Sequence, residues 1–280
     1  MPESQLARLE RAHASIRDRV GEPCDTAIML GSGLGQLADA VTDATIIPYG
    51  EIDGFPVSTA PGHKGQLVIG TLFSRRVVMM QGRLHLYEGW QPRDIALAVY
   101  LLQRLGAGVL VVTNASGGLN PDFVAGDVML IDDHLNFTGS SPLIGANDEE
   151  IGLRFPDQSR LYDPGLRQLA VKAAERAGTV IRHGVYCGVN GPELETSAER
   201  RFYRSAGGDA VGMSTVMEVI AANHAGMKVL GISAIANVAT GGPDQQPDTI
   251  ESVVAVAALC GEKIAAILKQ LLPVLPVHTK

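Results

Sequence analysis

Short apolar runs punctuate this chain, and segments with helical periodicity separate several of them. Strand-like runs fall at residues 26–30, 66–71, 76–80, 109–113, 127–131, 185–189, 210–212 and 229–234. Runs this short, bounded by glycine or polar residues, suit strands buried on both faces. Helical patterns occupy 92–105, 164–177, 197–206, 216–225 and 249–272. The alternation predicts an α/β fold, with a central mixed, largely parallel sheet flanked by helices. The 280 residues contain no internal repeat, low-complexity tract or Pro/Ser-rich linker. A single domain over residues 1–280 is therefore the economical reading.

Composition narrows the function classes. Hydrophobic residues make up 46% of the chain, enough for a sizeable core without disulfide staples. A net charge of −7 disfavours nonspecific nucleic-acid binding but leaves room for a local anion site. Cys24, Cys187 and Cys260 are isolated in sequence. An odd, sparse set speaks for a reducing compartment and against a disulfide scaffold or zinc knuckle. Residues 1–20 are charged throughout, with Leu6, Leu9, Ile16 and Val20 at roughly helical spacing. That predicts an amphipathic helix rather than a signal peptide. No uncharged apolar run reaches membrane-spanning length, so a soluble, cytoplasmic protein is expected. The irregular stretches 134–162 and 237–248 are candidate binding loops. Asp248 followed by Glu251 resembles a capping box at the start of the last helix.

Polar motifs gather where the apolar runs end, which is where open α/β sheets bind ligands. After Val77-Val78-Met79-Met80, Arg83, His85 and Tyr87 alternate with Leu84 and Leu86. In an extended backbone the three polar side chains emerge on one face. The guanidinium fork suits an oxyanion such as phosphate. Gly31-Ser32-Gly33-Leu34-Gly35 follows another run. Its exposed N–H groups, with a helix start behind them, also suit an anion. A nicotinamide fingerprint is the competing reading, but the third glycine comes too early for G-x-G-x-x-G. Thr113-Asn114-Ala115-Ser116-Gly117-Gly118 reads as a turn, in which Ala115 has only its main chain to offer. Gly191-Pro192-Glu193-Leu194-Glu195-Thr196 supplies carboxylates for helix-start charges or for a heterocycle's N–H groups. Met213 and Ser214 place an apolar group beside a hydroxyl, and Ser214 also suits an N-cap. Asn237 ends a strand with both a donor and an acceptor, able to bridge a purine edge. His63, in Pro61-Gly62-His63-Lys64-Gly65, sits in a turn between extended segments.

Taken in order, Gly-Ser-Gly-Leu-Gly, Pro-Gly-His-x-Gly, Gly-Arg-x-His-x-Tyr-Glu-Gly, Thr-Asn-Ala-x-Gly-Gly, Gly-Pro-x-x-Glu-Thr, Val-Gly-Met-Ser-Thr and Asn resemble the trimeric purine nucleoside phosphorylase family. The resemblance runs from about Ala27 to the C-terminal helix. It implies phosphorolysis of purine nucleosides, chiefly inosine and guanosine, to free base and ribose 1-phosphate. It implies phosphate held by Ser32, Arg83, His85, the Ala115 backbone and Ser214, with His63 on a closing loop. Ribose is expected at Tyr87 and Met213, and the purine at Glu195 and Asn237. Phe155 is expected to cover the sugar of a neighbouring subunit in a homotrimer. His85, Glu195 and Asn237 are the implied catalytic residues. No metal or organic cofactor is implied, inorganic phosphate being a co-substrate.

The chain departs from that pattern at named positions. Leu194 stands where an aromatic often faces the base, and Ser116 replaces a common alanine. Glu251 stands roughly where many members put a histidine on the 5′-hydroxyl, so that contact has no assigned residue. Related methylthioadenosine phosphorylases carry aspartate at the Asn237 position, which points here to 6-oxopurines. A xanthosine-preferring or methylthio-nucleoside enzyme of the same family is the alternative. A hydrolase is disfavoured because the calcium-binding aspartate cluster typical of nucleoside hydrolases is missing. A non-catalytic binder has no need of the phosphate set.

Overall fold

In the computed structural model, residues 3–60, 62–243 and 245–276 are described. Met1 of the expected N-terminal helix, Pro61 of the Pro-Gly-His-x-Gly motif and Asp244 of the expected 237–248 loop lie outside the described residues. The strands are β1 (Thr26–Met29), β2 (Thr42–Pro48), β3 (Gln66–Leu72), β4 (Arg75–Gln81), β5 (Val109–Gly118), β6 (Val128–Asn136), β7 (Ile181–Gly188), β8 (Ala210–Gly212) and β9 (Lys228–Val238). The helices are α1 (Gln5–Val20), α2 (Pro92–Arg104), α3 (Pro164–Arg176), α4 (Ser197–Ser205), α5 (Val216–His224) and α6 (Ile250–Leu271).

The strands form one nine-stranded sheet in the order β2-β3-β4-β1-β5-β8-β7-β6-β9, and β9 returns to pair with β5. The sheet is mixed: five pairings are parallel and four antiparallel among the described residues. β5 changes partner along one edge. Residues 109–112 lie beside β1 and residues 117–118 beside β8, while β9 follows the other edge. The fork at residues 113–116 is a switch in strand order, the kind of place where a crevice opens.

Strand alternation sorts the core into two layers. Ala27 and Met29 join a cluster with α1, α2 and α5, whereas Ile28 and Leu30 join one with α3 and α6. α1 begins at the Ser4 N-cap and buries Gln5, Leu9, Ala12, Ile16 and Val20, a stripe at helical spacing.

Several sequence expectations are corrected. β2 is an added strand: most of its side chains are exposed, so it lacks the apolar run of a buried strand. Residues 113–118 are strand rather than turn, because β9 pairs with them along their length. The helix expected behind the glycine-rich turn is a 3-10 segment, Gly35–Ala40, too short for a useful helix dipole. Gly33 in that turn has φ +77, and a Cβ there would meet the Ala257 Cβ at 2.8 Å, so glycine lets α6 pack close. The last helix is capped by Thr249 with Ser252, not by Asp248 with Glu251. Asp248 is instead taken by Arg200, at 2.9 Å.

Candidate active site

β4 ends at Gln81, and the next residues carry a deeply buried charge. Arg83 is 2% exposed. Its Nη1 donates to Ser214 Oγ at 2.9 Å, and its Nε lies 3.0 Å from Glu218 Oε1 on α5. That ionic contact is not aligned as a hydrogen bond, and Arg83 Nη2 has no hydrogen-bond partner among the described residues. A buried guanidinium with unused donors fits an oxyanion.

The expected alternation of Arg83, His85 and Tyr87 on one extended face is only half realised. His85 is extended, but Leu86–Glu88 turns into a 3-10 helix. This turn brings Tyr87 back onto His85, with rings stacked at 4.5 Å and 19°. Burial keeps the Tyr87 phenol protonated, pushing it up to about 12, so it can donate. Glu88 Oε1 lies 2.8 Å from His85 Nδ1, and Glu88 also accepts from the Thr59 backbone and hydroxyl. Burial alone raises the Glu88 pKa, but bonds from His85 and Thr59 outweigh it and hold the carboxylate at about 2.

His63 stands against His85 with ring centroids 5.3 Å apart. His63 Nδ1 lies 2.9 Å from the Arg83 backbone nitrogen and 3.1 Å from the Arg83 carbonyl oxygen, and its Nε2 lies 3.4 Å from Ser32 Oγ. Burial, together with the nearby His85, lowers the His63 pKa to about 4 and keeps the ring neutral at pH 7. Ser32, His63, Arg83, His85 and Ser214 are thus linked by direct contacts. Ala115 lies on β5 at the fork, and its carbonyl oxygen is 3.3 Å from where a Gly212 Cβ would stand.

Ser214 is not the N-cap of α5; Thr215 holds that position at φ 76 and ψ −49. His85, Val189, Met213, Ser214 and Glu218 line one small cavity. Met213 presses on the loop after β7: a Cβ on Gly191, at φ +67, would stand 2.2 Å from its sulfur, so glycine lets the two pack closely without backbone strain. Asn237 lies opposite Gly117, its amide 3.3 and 3.6 Å from where a Gly117 Cβ would stand.

Glu195 has a side chain only 7% exposed, and burial raises its pKa while Arg200 works against that. Arg200 Nε is 3.6 Å from Glu195 Oε2. Arg201 and Arg204 on the same helix donate to the carbonyls of Gly241 and Thr240. α4 therefore holds the loop after β9 against the Glu195 side of the crevice. Leu194, where an aromatic was the family pattern, is 40% exposed.

Phe155 is not brought to this group. It is 86% exposed and carries the Arg154 guanidinium 5.3 Å over its ring. Its loop is anchored near His224, where Asn147 Oδ1 meets Nε2 at 3.1 Å. His224 ends α5, roughly 12 Å along the helix from Val216 beside Ser214.

Sequence reasoning missed Glu218, Arg200, Thr215 and Ser233. Arg200 had a readable signal, since it follows the Thr196–Glu199 capping box that fixes the start of α4. The others are placed by contacts between segments far apart in the chain. Among the described residues, no cluster of His, Cys, Asp or Glu is arranged to hold a metal ion, and no helix is long and apolar enough to cross a membrane.

Residues 25–273 match the family described as the phosphorylase superfamily. Purine nucleoside phosphorylase 1 of Bacillus subtilis is 52% identical over 238 residues, covering 85% of this chain and 88% of that protein. The Schistosoma mansoni purine nucleoside phosphorylase solved in complex with inosine superposes with a TM-score of 0.92 at 36% identity, over 96% of each chain. Isoform 2 from the same organism, in complex with cytosine and ribose-1-phosphate, gives 0.93 at 39% identity over 99% of this chain and 100% of that one. The chain belongs to the phosphorylase superfamily, among its purine nucleoside phosphorylases.

Proposed function

We propose that the crevice cleaves inosine and guanosine with phosphate, giving the free purine and ribose 1-phosphate. The observation that carries this reading is Arg83, buried with unused donors beside the Ser214 hydroxyl. Phosphate sits among Ser32, Arg83, His85, the Ala115 N–H and Ser214, under His63. Ribose lies against Tyr87 and Met213, and the purine lies between Glu195 and Asn237.

Phosphate oxygen attacks C1′ as the C1′–N9 bond breaks, and that bond's electron pair leaves with the purine. Positive charge grows on the sugar and is met by the phosphate anion. Negative charge grows on the base, where the Asn237 amide donates to N7 or O6. That interaction is strongest in the transition state, so it lowers the barrier. Glu195 accepts from the N1 side and orients the base. Phosphate is both nucleophile and counter-charge, so no metal or organic cofactor is required. Phe155, exposed on an anchored loop, covers the ribose of a neighbouring copy in a homotrimer. The chain works as one domain in the cytoplasm.

The reverse reaction is a direct test. Hypoxanthine and ribose 1-phosphate incubated with the protein should yield inosine and inorganic phosphate. No inosine, with the protein folded, would refute the reading.

A further inference from the structure

A buried chain of polar side chains runs from the β5–β9 seam to Ser214. Ser116 Oγ lies 2.6 Å from Ser233 Oγ, and Ser233 Oγ donates to Asn114 Oδ1 at 2.5 Å. Asn114 Nδ2 donates to Thr215 Oγ1 at 2.8 Å, and Thr215 Oγ1 lies 3.2 Å from Ser214 Oγ. Ser116, Ser233, Asn114 and Thr215 are each at most 4% exposed. Buried polar groups cost free energy unless each is satisfied, and here each is.

The chain has a direction, because a hydroxyl owns one proton. Ser233 gives its proton to Asn114, so the bond to Ser116 uses the proton of Ser116. The Thr215 oxygen accepts from Asn114 through one lone pair, and between Thr215 and Ser214 either hydroxyl can be the donor. Arg83 Nη1 also donates to Ser214 Oγ, at 2.9 Å. With Thr215 as the donor of that pair, both acceptor directions of Ser214 are filled and its proton points into the crevice. Backbone geometry supports this arrangement. The Val216 N–H bonds the Ser214 carbonyl at 2.8 Å around Thr215, a tight turn that strains a non-glycine residue at φ 76. The Asn114 bond holds that threonine in place.

We propose that Thr215 donates to Ser214, and that Ser116, Ser233, Asn114 and Thr215 so form a positioning relay that fixes the Ser214 hydroxyl as a donor toward phosphate. The relay rests on the phosphate site inferred above. Its far end is Ser116 on β5, buried against Ser233.

The test compares Thr215→Val, Thr215→Ser and Ser233→Ala with the unmodified protein. Binding of inorganic phosphate alone is measured by calorimetry, and KM for phosphate and for inosine by kinetics. Thr215→Val keeps the shape but loses the hydroxyl, and should weaken phosphate binding roughly tenfold. KM for inosine at saturating phosphate should stay within about twofold. Thr215→Ser restores the hydroxyl and should restore phosphate binding. Ser233→Ala frees Asn114 to turn its amide over and reverse the chain, so it should show the same selective loss even if Thr215→Val folds poorly. Unchanged phosphate affinity in Ser233→Ala, or a Thr215→Ser variant as weak as Thr215→Val, would overturn the relay. So would equal losses for phosphate and inosine. An unmodified protein that binds no phosphate would instead sink the phosphate site, and the relay with it.

Discussion

Glu88 Oε1 accepts from His85 twice, from Nδ1 at 2.8 Å and from the backbone N–H at 2.9 Å. An ionised carboxylate can only accept, so His85 Nδ1 carries its proton and Nε2 is turned away from Glu88. The ring is thereby oriented before any ligand arrives.

Glu88→Gln should loosen that orientation and raise KM for phosphate several-fold. It should also change acid stability. Glu88 is held at about 2 against an ordinary 4.5. Its stabilisation is therefore present above pH 4.5 and lost as pH falls toward 2. Urea unfolding across that range should show a shallower decline for Glu88→Gln than for the unmodified protein; parallel curves would contradict the assignment.

His63 gives a second pH window. Its pKa falls from 6.5 to about 4 on folding, chiefly through burial. The neutral ring stabilises the fold above pH 6.5, and that contribution is lost as pH drops from 6.5 toward 4. A His63→Asn variant should lack this part of the acid sensitivity. Denaturation midpoints at pH 7 and pH 5 measure it; an undiminished difference in the variant would refute the burial of the neutral form.

Much of this was readable in advance, for physical reasons. β1, β4, β5 and β9 are buried on both faces, so their apolar runs show directly in sequence. β2 escaped notice because an edge strand with exposed side chains has no such run. Residues 113–118 look like a turn by composition, and only pairing with β9 makes them strand. Tyr87 belongs to the site by a 3-10 turn that alternation alone does not reveal. The Arg83–Glu218 and Arg200–Asp248 pairs join residues far apart in the chain, and no local periodicity encodes them.

Arg83 and Glu218 are both 2% exposed at the side chain, which makes them mutually dependent. Arg83→Met should strand a buried carboxylate and cost about 3–5 kcal/mol in chemical denaturation. Adding Glu218→Leu should recover most of that stability while phosphate binding stays lost. Recovery of phosphate binding in the double variant would show that Arg83 does not hold the anion.

Asn237→Asp should raise activity on adenosine relative to inosine, because a carboxylate accepts from a 6-amino group where the amide serves a 6-oxo group. The ratio of kcat/KM for the two nucleosides reads this directly. An unchanged ratio would remove Asn237 from base recognition.

The most direct measurement is purine release from inosine, guanosine and adenosine, each with and without inorganic phosphate. Release from inosine and guanosine that requires phosphate, with adenosine poor, is the predicted result. Equal release without phosphate would mean that water is the nucleophile, and would contradict the phosphate site on which the account rests.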